Sequence, residues 1–125
     1  MILHQVMDIE QIALSIYDTL GPGYSERVYH NAMEIMLREH KIPYESERII
    51  PIEFRGHTIG NLRSDIIVDK TIVLEFKAVK SMNEHADIQG YNYLRLTGLS
   101  MAYLINFPPI KNGCVEIKKI TMECD

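Results

Sequence analysis

The chain has 125 residues, 46% of them hydrophobic and 24% charged, which is enough for one compact domain (residues 1–125) whose core needs no disulfide or structural metal. Its formal charge of −4 argues against a protein that coats nucleic acid by phosphate neutralisation alone, yet allows an enzyme whose acids gather around a cation. No apolar run approaches the roughly 18 residues of a membrane span, Asp8 and Glu10 interrupt any signal-peptide pattern, and Cys114 and Cys124 lack the partners for a disulfide framework or zinc knuckle. The expectation is a cytoplasmic protein without membrane contact.

Val6, Ile9, Ile12, Ala13, Ile16 and Leu20 recur at helical spacing and predict a first helix over 4–20, ended by the "GPG" at 21–23. A second helix is expected from near Tyr24 to about His40, with Val28, Ala32, Ile35 and Met36 as its buried stripe. "RIIPIEF" then reads as a strand leading into a tight turn at Gly56, with Pro51 favouring an edge or a bulge. "LRSDIIVDKTIVLEFKAV" reads as two apolar strands joined by a short hairpin around Asp69 and Lys70. A third helix runs through "NEHADIQGYNYLRLTG", with Asn83 as N-cap and Gly98 near its end; Gly90 weakens it by about 1 kcal/mol relative to Ala. "SMAYLINF" is expected to be a buried strand and "CVEIKKITM" a final, more exposed one. The predicted order is therefore helix, helix, three strands, helix, two strands.

Glu75 and Lys77 are two apart on a strand, so both leave one face of the sheet while Leu74 and Phe76 point to the other. A solvated ion pair at a strand end would account for these two residues alone. If Asp69-Lys70-Thr71 forms a three-residue loop, Val68 opposes Ile72, Ile67 opposes Val73, and Asp65 falls opposite Glu75 on the same face. A register shorter by one residue would send Asp65 to the wrong side. Two facing carboxylates repel and call for a hard divalent cation with oxygen ligands. With an adjacent lysine, such a pair suits Mg2+-assisted (or Mn2+-assisted) phosphodiester hydrolysis.

Asp65 followed by Glu75-Phe76-Lys77 resembles the core of the PD-(D/E)XK phosphodiesterase superfamily, which includes restriction enzymes, junction resolvases and RecB-like exonucleases. "GYSERVY" at 23–29 reads G-x-x-E-x-x-Y and resembles the signature of the GxxExxY family within that superfamily. The likeness continues through "RSDIIV", "LEFKAV", "HADIQGYNYL" and "YLINF", covering most of the chain from Gly21 to Phe107. Ser64 stands where the superfamily's name places a proline that contributes no ligand.

The resemblance implies an α/β restriction-endonuclease-like core with a mixed central sheet of about five strands flanked by helices. It implies a nucleic-acid substrate and a metal held by Asp65, Glu75, the Phe76 carbonyl oxygen and, from an early helix, Glu26. A glutamate in a first helical turn is also favoured by the helix dipole. Lys77 is expected to act on the attacking water or the transition state, and Gln89 to position it. Gln89 and Tyr93 resemble the Q-x-x-x-Y pair that follows the E-x-K strand in RecB-like nucleases, and positions four apart share a helix face. Tyr29 is expected to hold Glu26, contact substrate or pack. Arg63, two before Asp65, is expected to meet a phosphate or to be solvated at the sheet edge. His85 occupies a position where the family favours histidine, near the mouth of the site, and also fits a helix cap. His4, His30, His40 and His57 show no convergent ligand spacing. Two other readings accompany the enzyme: a catalytically silent binding or regulatory module on the same fold, and a homodimer that builds a groove across two subunits.

Overall fold

The computed structural model of the protein describes residues 2–122, and their side chains from Asp8 onward. Val6 of the predicted stripe and Cys124 therefore lie outside the described side chains. Helices α1 (Ile2–Leu20) and α2 (Glu26–Glu39) are followed by strands β1 (Tyr44–Ser46), β2 (Ile49–Phe54), β3 (His57–Arg63), β4 (Ile66–Val68) and β5 (Ile72–Lys77). Helix α3 (Glu84–Thr97) leads to β6 (Met101–Asn106) and β7 (Glu116–Thr121). Among the described residues no helix is long and apolar enough to cross a membrane.

The central sheet has the order β1-β4-β5-β6-β7, and β2-β3 form a separate two-stranded ribbon. Only β5 and β6 run parallel, and α3 supplies the crossover that a parallel pair requires. Alternation along the strands divides the core. Ile66, Val68, Ile72, Leu74 and Phe76 pack beneath α1 and α2, whereas Ile67 and Val73 pack beneath α3 with Tyr93 and Leu94. The α/β architecture with a five-stranded mixed sheet is the predicted restriction-endonuclease-like fold.

Its fifth strand is not the predicted one. "RIIPIEF" lies in the ribbon, and Tyr44–Ser46 takes the sheet edge instead. The reason is a bend in one long hairpin. The ladder keeps unbroken register from Tyr44↔Val68 through Ile49↔Arg63 to Ile52↔Gly60. At Glu47 and Arg48 it turns, with Glu47 at φ 57°, and two hydrogen bonds carry it across: Glu47 N–H to the Asp65 carbonyl at 2.9 Å and Ser64 N–H to the Arg48 carbonyl at 3.0 Å. Below the bend the hairpin joins the sheet; above it the same hairpin leaves. The predicted single strand through "LRSDIIV" is thus two strands separated by Ser64 and Asp65.

The buried face of α2 also differs from the prediction. Tyr29, His30, Met33 and Leu37 are buried, while Val28 and Ile35 are exposed and Ala32 and Met36 only partly covered. Both stripes have helical spacing, and the choice was made by the aromatic contacts of Tyr29, which stacks on Phe107 with ring centroids 4.2 Å apart. Ile35 and Met36 instead line a shallow apolar groove against Ile16 and Leu20 of α1. In α3 the caps are as predicted: the Asn83 side chain accepts the His85 N–H at 2.9 Å, and Gly98 ends the helix at φ 78°. Gly90 has a packing role, because a Cβ there would lie 3.3 Å from Leu104 and Ile120.

Candidate active site

The predicted register is present, with Val68↔Ile72, Ile67↔Val73 and Ile66↔Leu74 paired. Continued by one step, it sets Asp65 against Glu75 at the point where the hairpin bends away. There the two acids close the ladder with their side chains. Asp65 N–H donates to Glu75 Oε2 at 2.9 Å, and Phe76 N–H donates to Asp65 Oδ2 at 2.8 Å. Each carboxylate is thereby fixed by the other residue's strand, and Glu75 is hydrogen-bonded to the Tyr93 side chain as well.

This bracing is electrostatically costly without a cation. Glu75 is 7% exposed, and its burial, reinforced by the charge of Asp65, pushes its carboxyl up to about 8. Burial also raises Asp65, opposed by the Phe76 N–H and by His30, Lys77 and Arg27. Glu26 is raised by burial, with Lys77 opposing and Asp65 adding. Both Asp65 and Lys77 therefore act on Glu26.

Lys77 leaves β5 on the same side as Glu75, as predicted, and its ammonium donates to Gln89 Oε1 at 2.7 Å. The amide from α3 thus holds the lysine. Lys77 and Gln89 line a cavity with Ser81, Asn83 and His85. A second cavity, of ≈ 240 Å³, is walled by Glu26, Arg27, His30, Asp65 and Phe76. The acids stand between these two cavities at one end of the sheet, so one site draws on both helical layers.

The structure does not bring every predicted residue there. Tyr29 is fully buried; its hydroxyl donates to the Gly21 carbonyl at 2.6 Å, so it packs and closes the α1–α2 turn. Tyr93 is also buried, and its hydroxyl donates to the Arg63 carbonyl at 2.6 Å. Its phenol is pushed well up by burial and then by Glu75, so it borders the acids from behind. Arg63 belongs to the ribbon, separated from Asp65 by the bend at Ser64. It lines a groove with Ile49, Asn61 and Leu62.

Two residues of the cavity wall were not singled out from the sequence. Arg27 is ion-paired to Glu47 at the bend. His30 is buried, with Nε2 2.8 Å from Glu34 Oε2 and 3.0 Å from Ser46 Oγ. The signal for His30 was its spacing of four from Glu26, which places both on one helix face.

Among the described residues no three His, Cys, Asp or Glu side chains gather into a metal cage. The available donor set is the carboxylates of Asp65 and Glu75 and the backbone at Phe76, with Glu26 across the cavity. That set fits a hard cation such as Mg2+, which takes one or two carboxylates and keeps several waters. It does not fit a closed structural site.

Residues 4–120 match the family model described as the PD-(D/E)XK nuclease superfamily. No curated protein matches the chain. Among solved structures, SSO0001 matches with a TM-score of 0.61 at 24% identity over 79% of this chain, a likeness of fold; the chain spans 50% of the length of SSO0001. An alkaline exonuclease (LHK-Exo) from Laribacter hongkongensis matches with a TM-score of 0.46 at 12% identity, covering 91% of this chain and 69% of that one.

Proposed function

The chain belongs to the PD-(D/E)XK nuclease superfamily, whose members generally use divalent metal ions and whose substrates are nucleic acids, and we propose that it is a Mg2+-dependent nuclease of the GxxExxY type acting as a single domain. The observation that supports this reading is the reciprocal bracing of the buried Glu75 and the half-buried Asp65, two carboxylates held together with Lys77 beside them. A fold without need of a cation gains nothing from that arrangement, since the repulsion costs stability.

Bound magnesium supplies Lewis-acid polarisation of the phosphate and a more acidic water. Asp65 and Glu75 would hold it, together with the Phe76 carbonyl oxygen, with Glu26 assisting from α2. Glu75 would take part as the carboxylate, the form that burial and the neighbouring Asp65 disfavour while no cation offsets them. Gln89 fixes the Lys77 ammonium, which orients the attacking water or meets the charge that develops on the phosphate. His85 and Asn83, at the start of α3, line the cavity on the Lys77 side and receive the substrate there.

Isothermal titration of Mg2+ into the wild type and Asp65→Ala, followed by a cleavage panel with Lys77→Ala, tests the reading. We expect metal binding in the wild type and in Lys77→Ala, none in Asp65→Ala, and cleavage by the wild type alone. A wild type that binds no divalent ion and cuts nothing would overturn it in favour of a binding module.

A further inference from the structure

The β2–β3 ribbon has no part in the chemistry above, yet it starts at the acids. Its two strands leave the sheet at Ser64 and Asp65, and Asp65 itself accepts the hydrogen bond that forms the bend. Its base is anchored: Ile50 is buried beneath α3 with Ile67, Val73 and Tyr93, and Leu62 packs against the same cluster. The far half is not. Every residue from Glu53 to Ile59 is exposed, including Phe54 at 61% and Ile59 at 65%. Six residues of strand put the tip about 20 Å beyond the base.

The chemistry of this arm is unlike that of the rest of the molecule. Between Arg48 and Arg63 three arginines stand against one carboxylate, Glu53, with Arg48 at the base also paired to Glu45, in a chain whose net charge is −4. The tip is the sequence Phe54-Arg55-Gly56-His57, turned by consecutive positive φ at Arg55 (51°) and Gly56 (83°). The shift in register between Ile52 and Glu53 adds twist immediately before it. This ribbon, cationic overall and with an aromatic residue at its tip, leaves its far half exposed to solvent. It complements a polyanion. The major groove of B-form DNA is about 12 Å wide and admits a two-stranded ribbon, whereas the corresponding groove of double-stranded RNA is deep and narrow.

We propose that the β2–β3 ribbon is the duplex-DNA arm of the site, inserting the Phe54-Arg55-Gly56-His57 tip into the major groove about 20 Å, or roughly six base pairs, from the bond at Asp65 and Glu75. Arg55 neutralises phosphate, Phe54 makes apolar contact with base edges, and the anchored base keeps the arm's aim fixed relative to the acids. The inference rests on the nuclease reading of that site and adds its substrate class.

The test compares the wild type with Phe54→Ala/Arg55→Ala, whose altered side chains are exposed and leave the core untouched. Three readouts are needed: anisotropy of a labelled 20-base-pair DNA duplex and of its RNA counterpart in Ca2+, calorimetric Mg2+ binding, and hydrolysis of thymidine 5′-(p-nitrophenyl phosphate), which is too short to reach the tip. We expect the double variant to bind the DNA duplex at least about tenfold more weakly, with the salt slope reduced by about one. Mg2+ binding and ester hydrolysis should be unchanged, and the RNA duplex should bind more weakly than DNA to the wild type. Equal duplex affinity in the two proteins, no duplex binding by the wild type, or equal preference for RNA would overturn the arm. So would a wild-type dimer in sedimentation that the double variant dissociates, since the tip would then be a subunit contact. Absence of both Mg2+ binding and ester hydrolysis in the wild type would instead strike the catalytic reading, and is seen without any duplex.

Discussion

The two halves of the long hairpin from Tyr44 to Val68 share one register and differ in almost everything else. Below the bend, β4 is completely buried, pairs on both sides, and is preceded by a carboxylate that the neighbouring strand holds through the Phe76 N–H. Above it, the ribbon pairs only with itself, and its tip from Glu53 to Ile59 is exposed on all sides. The lower half can hold an unfavourable charge pair because packing over-determines its geometry. The upper half holds no such charge pair and is free to meet a partner. Rigid chemistry and adaptable contact are thus built from one supersecondary element by a single change of direction at Glu47 and Ser64.

The largest expected break in this comparison comes from Asp65→Asn, which keeps the size of the side chain and a carbonyl oxygen for the Phe76 N–H but removes the charge. Cleavage should fall by about 10³-fold or more while the melting temperature stays near or above that of the wild type; full cleavage by the Asp65→Asn variant would remove Asp65 from the chemistry. In the lower half, Glu75 should also set the pH dependence of stability. Its folded-state value of about 8 lies above the ordinary 4.5, so the folded protein binds this proton more tightly than the unfolded chain does. Stability without metal is therefore greatest below about 4.5 as far as this group is concerned, and is lost as pH rises from there to about 8, by a few kcal/mol. Denaturant titrations in EDTA should show that loss in the wild type and not in Glu75→Gln, and Mg2+ should restore more stability at pH 8 than at pH 6.

A smaller effect is expected at the joint. Tyr93→Phe removes the hydroxyl that donates to the Arg63 carbonyl at 2.6 Å and should cost about 1 kcal/mol in urea titration. Amide exchange should then quicken in β3 and not in β5; equal quickening in both would mean that the bend does not divide the hairpin into separately stable parts. The smallest effect on stability is expected at the tip. Phe54→Ala should change the unfolding free energy by less than about 0.5 kcal/mol, and a larger loss would show that the tip is packed in solution.

Local pattern carried much of the site. The alternation of Leu74, Glu75, Phe76 and Lys77 placed the acid and the lysine on one face without reference to anything distant. The length of the Asp69-Lys70-Thr71 loop fixed the register; Asp69 and Lys70 adopt φ of 48° and 58°, and Thr71 N–H closes the loop on the Val68 carbonyl at 2.9 Å. The caps of α3 are equally local. The two-residue spacing of Arg63 and Asp65 assumes a straight strand, and the bend that separates them was not written in the residues that make it.

What the sequence determined by itself, then, was periodicity and register: which side chains leave together, and which acid faces which. Only the tertiary structure decided burial and direction. It chose Tyr29 over Val28 as the inward face of α2, through the ring of Phe107 more than seventy residues away. It brought Arg27 and His30 to the acid cavity, sealed Glu75 enough to raise its carboxyl, and sent half of a continuous hairpin out of the sheet. Periodicity follows from the fixed rise and rotation of each residue, which neighbours in the chain impose on one another. Burial depends on which distant surfaces meet, and no local repeat encodes that choice.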